Sequence, residues 1–99
     1  MNTLEAMRDT IALMEKSLLD KGPRFQDRIA VMEPNLRPEH LRDMLRIMES
    51  GINPQDTEAG FSDGKMGRWL GWAQAAVVAL GCGTLNDMKN INRVHADKS

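Results

Sequence analysis

Four arginines and one tryptophan are the side chains of this sequence best suited to binding another protein. Arg24 and Arg28 are four residues apart, as are Arg42 and Arg46, so each pair shares one face of a helix. Trp72 lies at the edge of an apolar helical pattern. Arginine and tryptophan are enriched among the residues that dominate binding at protein interfaces. We therefore predict that all five bind a partner; the alternative is that the arginines pair with nearby acids and the tryptophan closes a core layer.

The residues that usually catalyse reactions or bind metal ions are few and scattered. His40 and His95 each stand alone, whereas a metal site needs clustered ligands. Cys82 lies between two glycines with no histidine near it in sequence, so it lacks the base that a nucleophile requires. The glycines of residues 64–71 belong to a helical pattern without a preceding strand, which excludes a phosphate-binding loop. The sequence therefore predicts no enzyme activity, no metal ion and no cofactor.

Length and charge narrow the class of protein further. The chain has 99 residues and a net charge of -1, from 13 Lys and Arg against 14 Asp and Glu. One domain of this size has no room for a two-lobed cleft. The near-neutral charge argues against a surface built throughout for nucleic acid and against an acidic DNA mimic. The single cysteine fits a reducing compartment, and the longest apolar stretch, Trp69–Leu80, is interrupted by Gln74 and too short to span a membrane. We expect a cytoplasmic protein.

Apolar spacing predicts an all-α fold without strands. Apolar residues recur in steps of three and four over residues 4–18, and Asn2 can cap this first helix. Pro23 and Pro38 suit the first turns of a second and a third helix. Thr84 can cap a fifth helix, after which the chain becomes polar. We expect residues 1–99 to form a single helical domain, with a surface loop at residues 52–62 and a polar tail that frays from about residue 94.

The fourth predicted helix, at about residues 63–81, is apolar on two sides. Larger apolar residues form one broad face. Small residues recur every four positions on the opposite side: Gly67, Gly71, Ala75 and Ala79. Small side chains let another helix approach closely, and a helix that is apolar on both sides is normally buried all round. We therefore predict a compact bundle of about five short helices around this central helix, in which Gly71→Leu destabilises the domain by overpacking.

Two other classes of function remain open from the sequence. The fourth and fifth helices, joined at residues 81–83, have the outline of a helix-turn-helix, and the second of them carries Lys89 and Arg93. Asp87 reduces its excess of positive charge, which phosphate binding requires, so a small DNA-binding regulator is the alternative function. The apolar stripe of residues 4–18 also fits a coiled-coil seam in a structural or assembly protein. Its short length favours packing within the domain, and hence a monomer.

One segment carries a resemblance. Residues 65–74, with the sequence KMGRWLGWAQ, resemble the RWLGF-Q segment of small accessory proteins encoded by bacteriophages and prophages. Residues 85–93, LNDMKNINR, are similar to the ending of the same proteins. These segments lie in the last third of the chain, and the earlier part carries no such resemblance.

The resemblance implies a small phage-encoded protein that acts on a bacterial host. Type I anti-CRISPR inhibitors are single small domains that bind a subunit of the CRISPR surveillance complex and block target-DNA binding or nuclease recruitment. We therefore expect a non-enzymatic inhibitor in the bacterial host cytoplasm, with CRISPR-Cas effector subunits as its partners and with neither nucleic acid nor membrane. The near-neutral charge favours steric blockade over phosphate mimicry.

Overall fold

In the computed structural model, which describes residues 1–51 and 61–96, every regular element is helical. The elements are α1 (Thr3–Leu19), α2 (Pro23–Ala30), a 3-10 turn (Pro34–Leu36), α3 (Pro38–Ser50), α4 (Asp63–Leu80) and α5 (Leu85–Ala96). The predicted all-α bundle of about five short helices is confirmed. Most of the predicted loop and the last three residues of the predicted tail lie outside the described residues.

Side-chain caps begin three of these helices, at Asn2 and Thr84 as the sequence predicts and also at Ser62. Asn2 and Ser62 each accept, through a side-chain oxygen, the backbone N–H of the residue three positions later, at 3.1 Å in both cases. At the start of α5, Thr84 Oγ1 accepts the backbone N–H of Asp87 at 3.1 Å. Asp87 Oδ2 in turn accepts the backbone N–H of Thr84 at 2.9 Å. This reciprocal capping box satisfies two backbone donors that the helix itself leaves unpaired.

Proline and glycine set the remaining boundaries. Pro23 and Pro38 are the first residues of α2 and α3, where proline's missing N–H has no helical partner to lose. Gly51 and Gly81 follow α3 and α4 with φ values of 72° and 77°. Such left-handed conformations end a helix at little steric cost only in glycine.

The helix against which α3, α4 and α5 pack is α1. One stripe of its side chains is fully or almost fully buried: Ala6, Met7, Thr10, Ile11 and Met14. Methionine contributes much of the core, since Met7, Met14, Met44, Met48 and Met88 are all buried. Its flexible, unbranched side chain fills the irregular space between short helices that meet at different angles. The bundle therefore closes with very few aromatic side chains.

The side of α4 that carries the small residues is not buried. The opposite face enters the core through six residues: Leu70, Ala73, Gln74, Ala76, Val77 and Leu80. Gly67, Gly71, Ala75 and Ala79 are exposed, and a Cβ atom built at either glycine would meet no atom within 4 Å. The prediction of a central helix buried on both sides, with overpacking at Gly71→Leu, is therefore wrong. Helices α3, α4 and α5 pack around α1 instead, and α4 lies against it with one face only.

The end of α5 is also better ordered than predicted. The helix continues to Ala96, and His95 is buried. His95 Nε2 lies 2.6 Å from Asp9 Oδ2, and the backbone N–H of Asn2 donates to the carbonyl oxygen of His95 at 3.0 Å. These contacts attach the last turn of α5 to the first turns of α1. The described part of the predicted fraying tail is therefore part of the fold.

Candidate protein-binding face

The exposed side of α4 carries unusually few charged side chains for the surface of a helix. Successive residues of a helix are about 100° apart, so seven exposed residues span an arc of about 140°. We call them the α4 face: Gly67, Arg68, Gly71, Trp72, Ala75, Val78 and Ala79. Only Arg68 among them carries a charge. The face is flat where the small residues lie and gives close access to the helix backbone.

On one side, the α4 face continues into a groove between α4 and α5. The groove has a volume of about 410 Å³ and is lined from α4 by Gly71, Ala75 and Val78. From α5 it is lined by Leu85, whose side chain is 62% exposed, and by Lys89. No carboxylate lines the groove within the described residues. The groove is therefore largely apolar, with the paired amides of Gln74 and Asn92 also in its lining and one cation, Lys89, at its α5 rim.

Trp72 forms the opposite edge of the α4 face. Its indole Nε1 donates to the backbone carbonyl of Asn35 in the 3-10 turn at 3.0 Å. The residue is nevertheless 45% exposed. The hydrogen bond orients the ring and satisfies its only donor, so that an apolar surface is presented in one conformation. Trp72 is thus a half-exposed side chain rather than the closure of a second core layer, and its role in binding remains a prediction.

A buried polar network holds α5 beside α4. Gln74 is 9% exposed, and its Nε2 donates to Asn92 Oδ1 at 2.9 Å. Asn92 Nδ2 donates back to Gln74 Oε1 at 3.1 Å. Gln74 Nε2 also donates to Thr10 Oγ1 at 3.2 Å, and the Thr10 hydroxyl donates to the carbonyl of Ala6 at 2.8 Å. Since the network joins α1, α4 and α5, it sets the position of both walls of the groove.

The sequence contains a signal for this network that its interpretation missed. Gln74 interrupts an apolar stretch, which argues against a membrane span but also indicates a buried polar contact. A lone amide in an apolar helix needs buried partners, because an unpaired buried amide is costly. Asn92 and Thr10 are the partners here. His95 likewise stands alone in sequence but pairs with Asp9 in space.

The structure does not bring the four predicted binding arginines together. Arg42 pairs with a carboxylate of α1 at 2.7 Å, and Arg46 pairs with one of its own helix at 2.6 Å. These two are already engaged within the molecule, as the alternative interpretation predicted. Arg24 and Arg28 are exposed on α2, where they form no ion pair with any residue of the described ranges. Partner binding by any of the four remains a prediction.

Arg42 and Arg46 belong to a larger charged area that we call the α1–α3 surface: Glu5, Arg8, Glu15, Arg42, Asp43, Arg46 and Glu49. Arg8 binds Glu49 at 3.0 Å across the two helices and also pairs with Glu5. The carboxylates of Glu49 and Glu5 raise the pKa of the Arg8 guanidinium above its ordinary value. This surface therefore pairs its cations with its own acids.

Side chains of the types that bind metal ions, and the Cys82 thiol, are also present in the described residues. These residues contain no group of three His, Cys, Asp or Glu that could hold a metal ion. Cys82 is buried, without a disulfide, at the end of α4. No helix in the described ranges is long and apolar enough to cross a membrane.

No family model, curated protein or solved structure matches this chain. The two segments whose sequences led to the phage-protein prediction lie on α4 and α5. Residues 65–74 form the first part of α4, including Arg68, Gly71 and Trp72 of the α4 face. Residues 85–93 form most of α5, including the groove's outer wall. Both segments therefore contribute residues to the candidate site, and their relation to phage proteins remains a prediction.

Proposed function

We propose that this protein is a non-enzymatic, protein-binding inhibitor and that the α4 face is its contact surface. The proposal rests on one observation: α4 exposes an arc of about 140° that carries a single charged side chain. A helix at a protein surface normally directs charged and polar residues toward water. Contiguous, weakly charged exposure of this kind is characteristic of interaction sites.

The residues of the α4 face have complementary roles in this proposal. Gly67, Gly71 and Ala75 allow a partner's backbone or side chains to approach the helix closely. Trp72 and Arg68 are of the types that dominate interface energetics. Because the Trp72 ring is already oriented by Asn35, little conformational entropy is lost when a partner covers it.

We extend the proposal to the target. The segments around the site resemble phage accessory proteins, so we infer a protein encoded by a phage or mobile element that acts on a bacterial host complex. A type I CRISPR surveillance complex is the target that this resemblance favours. A compact helical body with a shape-dependent contact surface would act by steric blockade of target-DNA binding.

The binding proposal is tested by comparing capture of bacterial lysate proteins by three variants. Wild type and Ala12→Arg, a matched change at an exposed alanine of α1, should retain the same proteins. Ala75→Arg places a long cation in the middle of the α4 face and should lose them, with an unchanged melting temperature. Retention of the same proteins by Ala75→Arg would reject the α4 face as the contact surface.

The target proposal has its own experiment. The protein is mixed with a purified type I surveillance complex, and binding of target DNA by that complex is measured. Co-purification with loss of DNA binding supports the anti-CRISPR assignment, and Ala75→Arg should restore DNA binding. Unchanged DNA binding and unchanged interference with phage at excess protein would reject that target, while leaving the α4 face open to others.

DNA binding is the second candidate, and one observation favours it. Asn86, Lys89, Asn90 and Arg93 are all exposed along one stripe of α5. The Asp87 carboxylate is held in the capping box, so it does not interrupt this stripe. Asparagine, lysine and arginine are residues that read base edges in the major groove. Salt-dependent retention on a DNA column, lost in Lys89→Glu, would support a DNA-binding regulator; flow-through at low salt would reject it.

A further inference from the structure

The α4 face and its groove also indicate what kind of partner segment they receive. We propose that the occupant is an amphipathic helix of the partner protein, with small or medium apolar residues on one side and acidic residues at its flanks. This inference rests on the proposed function of the α4 face. It adds the class of the ligand.

The shape of the site favours a helix. From Gly67 to Ala79 the floor of the site extends for about 18 Å, at about 1.5 Å for each residue. Small residues at four-residue spacing form a shallow channel that accepts the side-chain ridge of a second helix. Trp72 and Leu85 rise on the two sides of this channel as exposed apolar walls. The arrangement matches the general mode in which an amphipathic helix lays its apolar face into a groove.

The charge of the site favours acidic flanks. Arg68 lies on the Trp72 side of the channel, and Lys89 lies on the α5 side. Neither forms an ion pair with any part of the chain that the structure describes, whereas Arg42 and Arg46 do. A helix lying between these two cations would meet one on each flank. Carboxylates at those flanks would pair with both, and such charge complementarity selects partners and their orientation.

The same charges disfavour a second copy of this chain as the occupant. An isologous dimer would place two identical faces against each other. Each α4 face brings Arg68 and no carboxylate, and Lys89 lies at the rim. Four cations would then lie at one interface without compensating acids, and uncompensated like charges disfavour association.

Site-specific photocrosslinking in the full-length protein tests this inference. A photoreactive residue replaces Val78 in the groove or, as a control, Leu19, which is 86% exposed at the end of α1. After irradiation in bacterial lysate, the crosslinked partner peptide is mapped by mass spectrometry. We expect the Val78 position to react with a helical segment of one protein that has Asp or Glu within a turn of the crosslinked residue. The Leu19 position should not react with that segment.

Charge reversal then tests the acidic flanks on the purified partner. Lys89→Glu should weaken binding about tenfold or more, since it removes one attraction and adds a repulsion. The matched change Lys16→Glu, at an exposed cation of α1 beside the other flank of α5, should leave affinity within about twofold by the same reasoning. Rescue of Lys89→Glu by an Asp→Lys or Glu→Lys change at the mapped position would assign the pair directly.

The outcomes separate this inference from the proposed function. Crosslinking from Val78 to a strand, a loop, a helix without acids or a second copy overturns the acidic-helix inference and leaves the α4 face as a binding surface. Equal affinity of the Lys89→Glu and Lys16→Glu variants overturns the charge argument in the same way. If no protein is crosslinked from Val78 and Ala75→Arg retains its captured proteins, both proposals fail.

Discussion

The α4 face and the α1–α3 surface are both exposed to water, but they differ in whether their charged side chains are paired within the molecule. On the α1–α3 surface, Arg8, Arg42 and Arg46 each pair with carboxylates of the same molecule. On the α4 face, Arg68 has no such partner among the described residues, and its neighbours are small or apolar. The cations of the α1–α3 surface are therefore paired without any binding partner. The α4 face leaves an apolar area and the Arg68 cation available to a partner protein.

The two sides of α4 also differ from each other, because one side packs into the core and the other forms the proposed contact surface. Its buried side carries Leu70, Val77 and Leu80, and its exposed side carries Gly67, Gly71 and Ala75. Large apolar residues stabilise by being removed from water, whereas small ones contribute little to the core and expose little apolar area. The helix can therefore be weakly polar on both sides while only one side is buried.

The largest expected effect comes from testing the two sides of α4 against each other. Leu80→Ala removes a buried side chain and should lower the free energy of unfolding by about 2–5 kcal/mol. Val78→Ala, two residues away on the α4 face, should change it by less than about 0.5 kcal/mol. Urea unfolding monitored by circular dichroism measures both. Similar losses in the two variants would mean that the α4 face is covered in solution.

The next effect concerns the network that positions the groove. Gln74→Leu leaves the Asn92 amide without its protein partner and should cost about 1–3 kcal/mol of unfolding free energy. The double variant Gln74→Leu with Asn92→Leu should lose less than the sum of the two single changes, because neither amide is then left unpaired. Additive losses would show that the two amides do not depend on each other.

Substitutions at Gly71 should uncouple stability from binding. Because a Cβ atom there meets no neighbour, Gly71→Ala should raise the free energy of unfolding by about 1 kcal/mol through helix propensity. Gly71→Leu should keep the wild-type melting temperature or raise it, yet lose the captured partner proteins. A lower melting temperature for Gly71→Leu would mean that this side of α4 is buried, and would contradict the description of the α4 face as an exposed surface.

The smallest expected effect lies on the α1–α3 surface. Arg42→Ala and Arg46→Ala each break an exposed ion pair and should lower the free energy of unfolding by less than about 1 kcal/mol. High salt should reduce the difference from wild type further. If charge reversal at Arg24, Arg28, Arg42 or Arg46 abolished partner binding without changing the melt, these residues would form a contact surface of their own, as the sequence analysis predicts.

Much of the fold could be predicted because helices leave local signals. The apolar spacing of α1, the prolines that open α2 and α3, and the capping pair of Thr84 and Asp87 all act within a few residues. What covers a helix face is not local. Glycine and alanine at four-residue spacing suit both a buried crossing and an exposed groove, so the periodicity of α4 reveals its faces but not their neighbours.

The partners of the buried polar side chains could not be predicted either, because they are distant in the sequence. Gln74 and Asn92 are 18 residues apart in sequence, and Asp9 and His95 are 86 residues apart. A polar side chain that becomes buried requires a hydrogen-bond partner, but which residue supplies it depends on how the helices cross. By contrast, Asp43 lies three residues from Arg46 on the same helix and is a partner that the sequence can indicate. The acid that engages Arg42 lies on α1 and emerges only from the folded structure.

The contact between His95 and the start of α1 has a consequence for how the protein is made. Asn2 and Asp9 leave the ribosome early, whereas their partner is one of the last described residues to be synthesised. Closing so long a loop adds only about 0.6 kcal/mol for each doubling of its length. The delay is therefore one of time rather than energy: α3 and α4 can pack against α1 earlier, but the part of α1 that α5 covers stays exposed until α5 has emerged. Apolar surface that is exposed in this way makes a nascent chain prone to aggregation.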